Sequence, residues 1–286
     1  MSSRSANLVR RMRHVRKTSF GQRVREHALL LLFPEPVRCP LCGYAFRHLP
    51  RGIARPRLCP SCARNLSELT YGLCRVCGRA GQGAVCPECV REPHVFFAAR
   101  AFASYDGSVE KLIKALKYQG DMRAKPILGD WLVEAYERHY GSDGQVVIVP
   151  VPMHPAKQAR RGFNQAEDLA AHLCRKLNLP LLRALTRVET GSSQTTHTRS
   201  ERKQALRGTF TLNTDMRMKF YSLSSYRKTM RYNRIMEQRV SGATLVSGQH
   251  VILVDDVITT GSTADACAEV LFAAQAVSVC VLTVAR

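Results

Sequence analysis

Acid is scarce in this sequence. Its 286 residues hold 22 Asp and Glu against 43 Lys and Arg, which gives a net charge of +21 and an isoelectric point near 10.0. So one-sided a balance disfavours basic partners and suits polyanions. Long apolar runs are missing too. A membrane-spanning helix needs roughly 18 or more apolar residues, and "ALLLLF" at 28–33 has six. The basic stretch before it is too long and too charged for an ordinary signal peptide, and no A-x-A-like site follows. A cytoplasmic chain is expected. The sequence has no G-x-x-x-x-G-K-[ST] loop for a nucleoside triphosphate, and no Ser/His/Asp or Cys/His set suited to covalent catalysis. Tryptophan occurs once, as Trp131, within a helical apolar pattern that marks it as core.

Cysteine is plentiful but crowded. Eight of the eleven lie between 39 and 89, as Cys39/Cys42, Cys59/Cys62, Cys74/Cys77 and Cys86/Cys89. A C-x-x-C turn sets two thiolates on one side of a metal, and two such turns complete a tetrahedron. "CPLCG" and "CRVCG" place small residues where backbone amides can approach sulfur. A disulfide framework would need an oxidising compartment, and a redox role fits four clustered pairs poorly. One or two structural Zn²⁺ ions are therefore expected, paired sequentially or crosswise. Eight thiolates and two Zn²⁺ change the charge by −8 + 4 = −4, so the chain stays basic at about +17. With four sulfurs each, such sites leave no position open for catalysis. Cys174, Cys267 and Cys280 lie in apolar segments and read as core.

Beyond His94 the pattern changes. "VFFAARAFASY" (95–105), "QVVIVPVP" (145–152), "HVILVDD" (250–256) and "VSVCVLTVA" (277–285) read as strands, the middle two apolar enough to be covered on both faces. Between them, 108–121, 126–140, 164–178 and 263–274 read as helices. Ser108 is a fair N-cap, and Val109, Leu112, Ile113 and Leu116 share one face. In 164–178 the inward face is Ala166, Leu169, Ala170, Leu173 and Leu177. Strands alternating with helices predict an α/β fold with a mostly parallel sheet.

The segment "VILVDDVITTGST" (251–263) carries the chemistry. The strand would deliver Asp255 and Asp256 to the carboxyl edge of the sheet, where α/β proteins bind ligands. The turn Thr259, Thr260, Gly261, Ser262, Thr263 then enters a helix whose free N–H groups and dipole favour phosphate. Carboxylates accept hydrogen bonds from sugar hydroxyls. A sugar phosphate satisfies both halves, whereas an idle acid pair on a buried strand would be costly.

These residues resemble the phosphoribosyl pyrophosphate (PRPP) motif of type I phosphoribosyltransferases. With "KLIKALKYQGD", "VPVPMHPAKQARRGFNQAEDLA" and "QTTHTRSERKQALRGTF", the chain is similar to the ComF/GntX family over about 36–215 and 245–286. That resemblance implies a Rossmann-like type I phosphoribosyltransferase domain behind a small zinc ribbon. The divisions would be a basic extension (1–35), a double zinc ribbon (36–92) and the transferase-like domain (93–286). It further implies that Asp255 and Asp256 hold the ribose 2′ and 3′ hydroxyls, and that Thr259 to Thr263 cradle the 5′-phosphate. Lys157, Arg160 and Arg161 would lie near the pyrophosphate. Gln194, Thr195, Arg199 and Arg202 would form a closing hood, and Mg²⁺ would ride on the substrate oxygens. His154, nearest the site, is a polar loop residue or a ligand contact. Gln204 stands where the family has asparagine.

Two readings of function stay open. One is a PRPP-binding protein of DNA uptake and natural competence, handling single-stranded DNA with other competence or DNA-processing proteins. The other is an active enzyme transferring phosphoribose to a nitrogen acceptor. Residues 1–38 carry a net +7 (9 basic, 2 acidic) and 216–240 a net +6 (7 basic, 1 acidic). The second is an insertion relative to the family. It is a disordered or solvated basic segment, or one whose Phe220, Tyr221, Tyr226 and Tyr232 stack bases between phosphate-binding cations.

Overall fold

The computed structural model describes residues 37–46, 58–81, 83–141, 146–188, 205–206, 208–213, 217–222, 234–239 and 245–286. The chain begins with strands β1 (Val37–Arg38) and β2 (Ala45–Phe46), which form a small antiparallel ribbon, and short helices α1 (Pro60–Arg64) and α2 (Pro87–Arg91). Then follow β3 (Ala98–Ala103), α3 (Gly107–Lys114) running into a π turn at Ala115–Gln119, α4 (Ala124–His139), β4 (Val146–Pro150), α5 (Pro155–Arg161) and α6 (Gln165–Leu177). Next come β5 (Leu181–Leu182), β6 (Leu185–Arg187), β7 (Phe210–Leu212), β8 (Arg217–Ser222), β9 (Arg234–Arg239), β10 (His250–Val257), α7 (Ser262–Ala273) and β11 (Ser278–Ala285).

The main sheet runs β3-β11-β10-β4-β5-β8-β9. Its first five strands are parallel, and the last two are added antiparallel. β10 lies in the interior, and its two-residue period divides the core. Ile252 and Val254 face α3, α4 and α6 together with Phe102, Trp131 and Leu169. Val251 and Leu253 face α7 with Cys267 and Leu271. Both faces are covered, which is why the strand reads as an unbroken apolar run. Trp131 is buried and stacks on Phe102 at 5.0 Å. Cys174 and Cys267 are buried as expected, and Cys280 is half-buried.

Three expectations need correction. Ser108 is not the N-cap. The helix begins one residue earlier, with Asp106 at the cap position, and the Ser108 hydroxyl donates to the carbonyl of Cys62. The helix expected from 126 starts at Ala124, because a proline at its third position removes an N–H that no helix could use there. The 216–240 insertion is not wholly a solvated loop. Its two arms pair Arg217↔Arg239 through Ser222↔Arg234, and β8 docks on β5 through Leu181↔Lys219 and Leu182↔Met218. The open edge of β5 is a ready template for a further strand. Tyr226 and Tyr232 lie outside the described residues.

The other edge of the sheet is closed by the cysteine-rich stretch. Glu68 bridges to Ala103, the Leu69 N–H donates to the Phe102 carbonyl at 2.9 Å, and the Ala99 N–H donates to the Val76 carbonyl at 2.6 Å. Cys39, Leu58 and Cys59 pack into the same core as Phe102 and Trp131.

Connectivity fixes where a ligand can enter. From β4 the chain passes through α5 and α6 to β5 on one side. From β10 it passes through α7 to β11 on the other. The adjacent strands β4 and β10 therefore send their connections in opposite directions. That is a topological switch point, and a crevice opens there at the carboxyl ends.

Candidate functional site: a threonine-rich crevice beside two four-cysteine groups

The two cysteine groups are built alike. Cys39 and Cys74 each open a tight turn closed by a glycine with positive φ. The Gly43 N–H donates to the Cys39 carbonyl at 2.8 Å, and the Gly78 N–H to the Cys74 carbonyl at 2.9 Å. A Cβ on Gly78 would lie 2.4 Å from the Ala99 carbonyl oxygen, so no other residue fits there. Cys59 and Cys86 each cap a short helix, with Pro60 and Pro87 at its first position. The groups are Cys39, Cys42, Cys59, Cys62 and Cys74, Cys77, Cys86, Cys89, so the pairing is sequential.

Their geometry fits zinc. In each group the four sulfurs lie within 4.8 Å of one another, with Cys42–Cys59 and Cys77–Cys86 at 3.6 Å and Cys74–Cys89 at 3.9 Å. Tetrahedral Zn²⁺ with Zn–S near 2.3 Å needs sulfurs about 3.8 Å apart. Burial alone would raise the thiol of Cys74, but the N–H groups of Cys86, Cys77 and Val76 overcome it and bring it down to about 6. Cys39 falls to about 7 in the same way, through Cys59, Cys42 and Leu41. Each group thus holds one thiol that ionises readily, while burial above all pushes the thiols of Cys62 and Cys89 up. The two differ in access: all four cysteines of the second group are buried, whereas Cys42 is exposed and Cys62 half-buried.

In the crevice, β10 brings Asp255 and Asp256 to the carboxyl edge. Thr259, Thr260, Gly261, Ser262 and Thr263 curl from them into the N-terminus of α7 and, with Asp255, line one small cavity of about 50 Å³. Gly261 has φ +81° and occupies the N-cap position. The first turn of α7 borders the cavity, with the Ser262 N–H on Thr260 Oγ1 at 3.4 Å and the Thr260 and Ser262 hydroxyls 3.0 Å apart, and the N-terminal end of a helix suits an anion. The bareness of Gly261 is demanded by the protein itself. A Cβ there would lie 2.5 Å from the ring of His94.

His94 and Asp265 are residues that sequence reasoning missed. The Asp265 carboxylate accepts from the Val95 N–H at 2.7 Å and meets His94 Nδ1 at 2.9 Å, both side chains being almost fully buried. An acid in a first helical turn normally signals the helix dipole. This one turns inward and pins the segment entering β3 beneath the phosphate loop.

Lys117 is the third such residue. It sits in the π turn, and its ammonium lies 2.7 Å from the Asp256 carboxylate. Burial lowers its proton affinity, but the charge of Asp256 and their hydrogen bond raise it further. In sequence it looked like one more charged position on an amphipathic helix. Asp255 is different. Burial, then the neighbouring charge of Asp256, push its carboxyl up to about 7, against the opposing pull of Lys117 and Arg187.

The basic residues after β4 stand on a helix, α5, and not on a loop. Arg161 folds back over the Tyr118 ring at 5.6 Å and reaches Met153 Sδ at 3.9 Å. Lys157 and Arg160 are exposed on α5. His154 caps that helix, its Nδ1 accepting from the Ala156 N–H at 3.2 Å, so its polar atom is used structurally. The proposed hood residues Gln194, Thr195, Arg199 and Arg202 lie outside the described residues.

Residues 124–286 match the phosphoribosyl transferase domain family. Competence protein ComFC of Bacillus subtilis is 24% identical over 221 residues, 72% of this chain and 74% of that protein. Competence protein F of Haemophilus influenzae is 28% identical over 217 residues, 74% and 82% of the two chains. The DNA utilization protein YhgH of Escherichia coli K12 is 27% identical over 236 residues, 76% and 91%.

Two outcomes are expected. The purified protein carries two zinc ions per chain, and a chelator takes the ion of the exposed first group before that of the buried second. Simultaneous loss, or disulfides without metal, would contradict this. The second concerns Asp255. Its ordinary value is 3.8, so between there and about 7 the folded chain holds a proton that the unfolded chain has released. Ionisation in the folded state thus weakens the fold as pH rises through that window. Asp255→Asn, which keeps an oxygen for the Asp256 N–H now 2.8 Å away, should raise the unfolding temperature more at pH 8 than at pH 5. Equal shifts at both values in a thermal-melt series would refute it.

Proposed function

This chain belongs to the phosphoribosyl transferase domain family, in its ComF-like branch, and we propose that its crevice binds PRPP or another phosphorylated ribose in the service of DNA uptake. The observation that carries this reading is the adjacency of two elements in one crevice. Asp255, the first of an acid pair suited to ribose hydroxyls, lines the same cavity as the 259–263 turn that leads into the N-terminus of α7, which suits a 5′-phosphate.

The roles follow from position. Asp255 and Asp256 accept from the 2′ and 3′ hydroxyls. The first N–H groups of α7, with the hydroxyls of Thr259, Thr260, Ser262 and Thr263, hold the 5′-phosphate. Arg161 faces the far end of the ligand, and Lys157 and Arg160 add positive charge outside. The family resemblance gives Gln194, Thr195, Arg199 and Arg202, which lie outside the described residues, the role of a closing hood. The oxygen donors of the crevice suit a hard divalent cation, and Mg²⁺ bound with the ligand would neutralise its phosphates. Zn²⁺ in the cysteine groups is structural and fastens their turns to the edge of the sheet.

The DNA side of the proposal rests on the names of the relatives and on charge. ComFC and competence protein F are named for competence, and YhgH for DNA utilization. Residues 1–38 and 216–240 hold 7 + 6 = 13 of the chain's 21 excess positive charges. In this reading the protein meets single-stranded DNA in the cytoplasm alongside other competence or DNA-processing proteins. Among the described residues no helix is long and apolar enough to cross a membrane.

Calorimetric titration with PRPP and Mg²⁺ tests the crevice. Affinity in about the micromolar range is expected, lost in the Asp255→Asn, Asp256→Asn double variant while its circular dichroism is unchanged. An unaltered affinity in that variant would sink the ribose assignment. A short single-stranded oligonucleotide should bind the same protein with steep dependence on salt.

A further inference from the structure

The ion pair of Lys117 with Asp256 has no counterpart in the roles assigned so far, and its setting is unusual. Lys117 lies in the π turn at Ala115–Gln119, and such widened turns inside helices recur at functional sites. One turn earlier, Lys114 remains on the outer face and pairs with Glu110, its side chain 54% exposed. Widening the helix by one residue rotates Lys117 away from that face. Its side chain is 21% exposed, and its partner Asp256 is 10% exposed. Leu116 keeps its place on the buried face with Val109, Leu112 and Ile113, while Tyr118 is open to solvent beneath Arg161. The helix therefore departs from its regular form at the place where doing so carries a cation to the acid pair.

A structural ion pair would not need that departure. Lysine and aspartate that merely tie two elements together do so at lower desolvation cost on the surface, and a buried pair seldom adds net stability. The site has a better use for the charge. Two adjacent carboxylates repel a polyanionic ligand at short range. The 5′-phosphate escapes this because the cradle holds it at the far end of the loop. A group on C1 does not escape it, since C1 is bonded to the carbon that bears the 2′ hydroxyl.

The geometry points to Lys117 as the residue by which the crevice selects a ribose bearing pyrophosphate on C1. In the ligand-free protein its ammonium neutralises Asp256. As the sugar hydroxyls take over the carboxylate, the ammonium swings to the pyrophosphate oxygens, a move within the reach of one flexible side chain. This inference rests on the sugar-phosphate reading of the crevice and adds to it a discriminating residue. Arg161, over the neighbouring Tyr118, brackets the same group from the side of α5.

The test compares two ligands on three proteins. Wild type should bind both ribose 5-phosphate and PRPP. Lys117→Gln should weaken PRPP by at least about tenfold, the scale of one charge-assisted contact, and leave ribose 5-phosphate within about threefold. Lys117→Arg should restore much of the PRPP affinity. Equal loss of both ligands in Lys117→Gln, or no loss of either, would overturn the proposal. A wild type that binds neither overturns the crevice reading itself and the proposal with it. Should Lys117→Gln fold poorly, the wild type supplies the answer through its side-chain ammonium resonance. It should shift with PRPP and stay nearly fixed with ribose 5-phosphate. The same shift with both ligands would contradict the selective role.

Discussion

Two carboxylates stand at the end of a strand that is buried on both faces, and much of the molecule is arranged around their cost. Strand β10 must be apolar throughout to lie between two helical layers, yet Asp255 and Asp256 end it. Burial and mutual repulsion drive Asp255 toward neutrality. Lys117 holds the charge of Asp256 from a helix widened to reach it. Removing water from a charge without a partner costs several kcal/mol or more, so both acids are tolerable only with these neighbours. Such an arrangement is a costly way to build a fold, and the cost falls on the residues that the proposed function places against the sugar.

The loop after the acids is held from below as well as formed from within. His94 fills the space that a side chain on Gly261 would need, and Asp265 ties His94 and Val95 to the first turn of α7. The segment that fixes the cradle is the one joining the cysteine groups to β3. The second cysteine group adds contacts nearby. Cys77, Arg79, Arg286 and Thr260 line one cavity of about 400 Å³ between that group and the loop. The cysteine-rich stretch therefore covers the β3 edge, which would otherwise expose unpaired backbone groups, and also stands against the phosphate loop.

Much of this was legible in the sequence, for identifiable reasons. The buried strands announced themselves as apolar runs, and the helices by their apolar faces. Ala166, Leu169, Ala170 and Leu173 are all buried. The C-x-x-C spacing pointed to four-cysteine clusters, though only the fold could choose sequential pairing. The acid pair and the threonine-rich turn gave the crevice. What stayed hidden depends on side chains meeting across long stretches of chain. Lys117 and Asp256 are far apart in sequence, as are His94 and Asp265, and no local pattern encodes either meeting. The π turn was invisible because its residues are ordinary helix formers. The hairpin in 216–240 was obscured by charge, since Arg and Lys crowd a segment whose alternate use as an edge strand depends on the open edge of β5.

The central claim concerns where a phosphorylated ribose sits, and a crystal structure of the protein grown with PRPP and Mg²⁺ tests it most directly. The account predicts the 5′-phosphate against the first N–H groups of α7 and the 2′ and 3′ hydroxyls on Asp255 and Asp256. Ligand density elsewhere, with the acid pair and the cradle untouched, would contradict it.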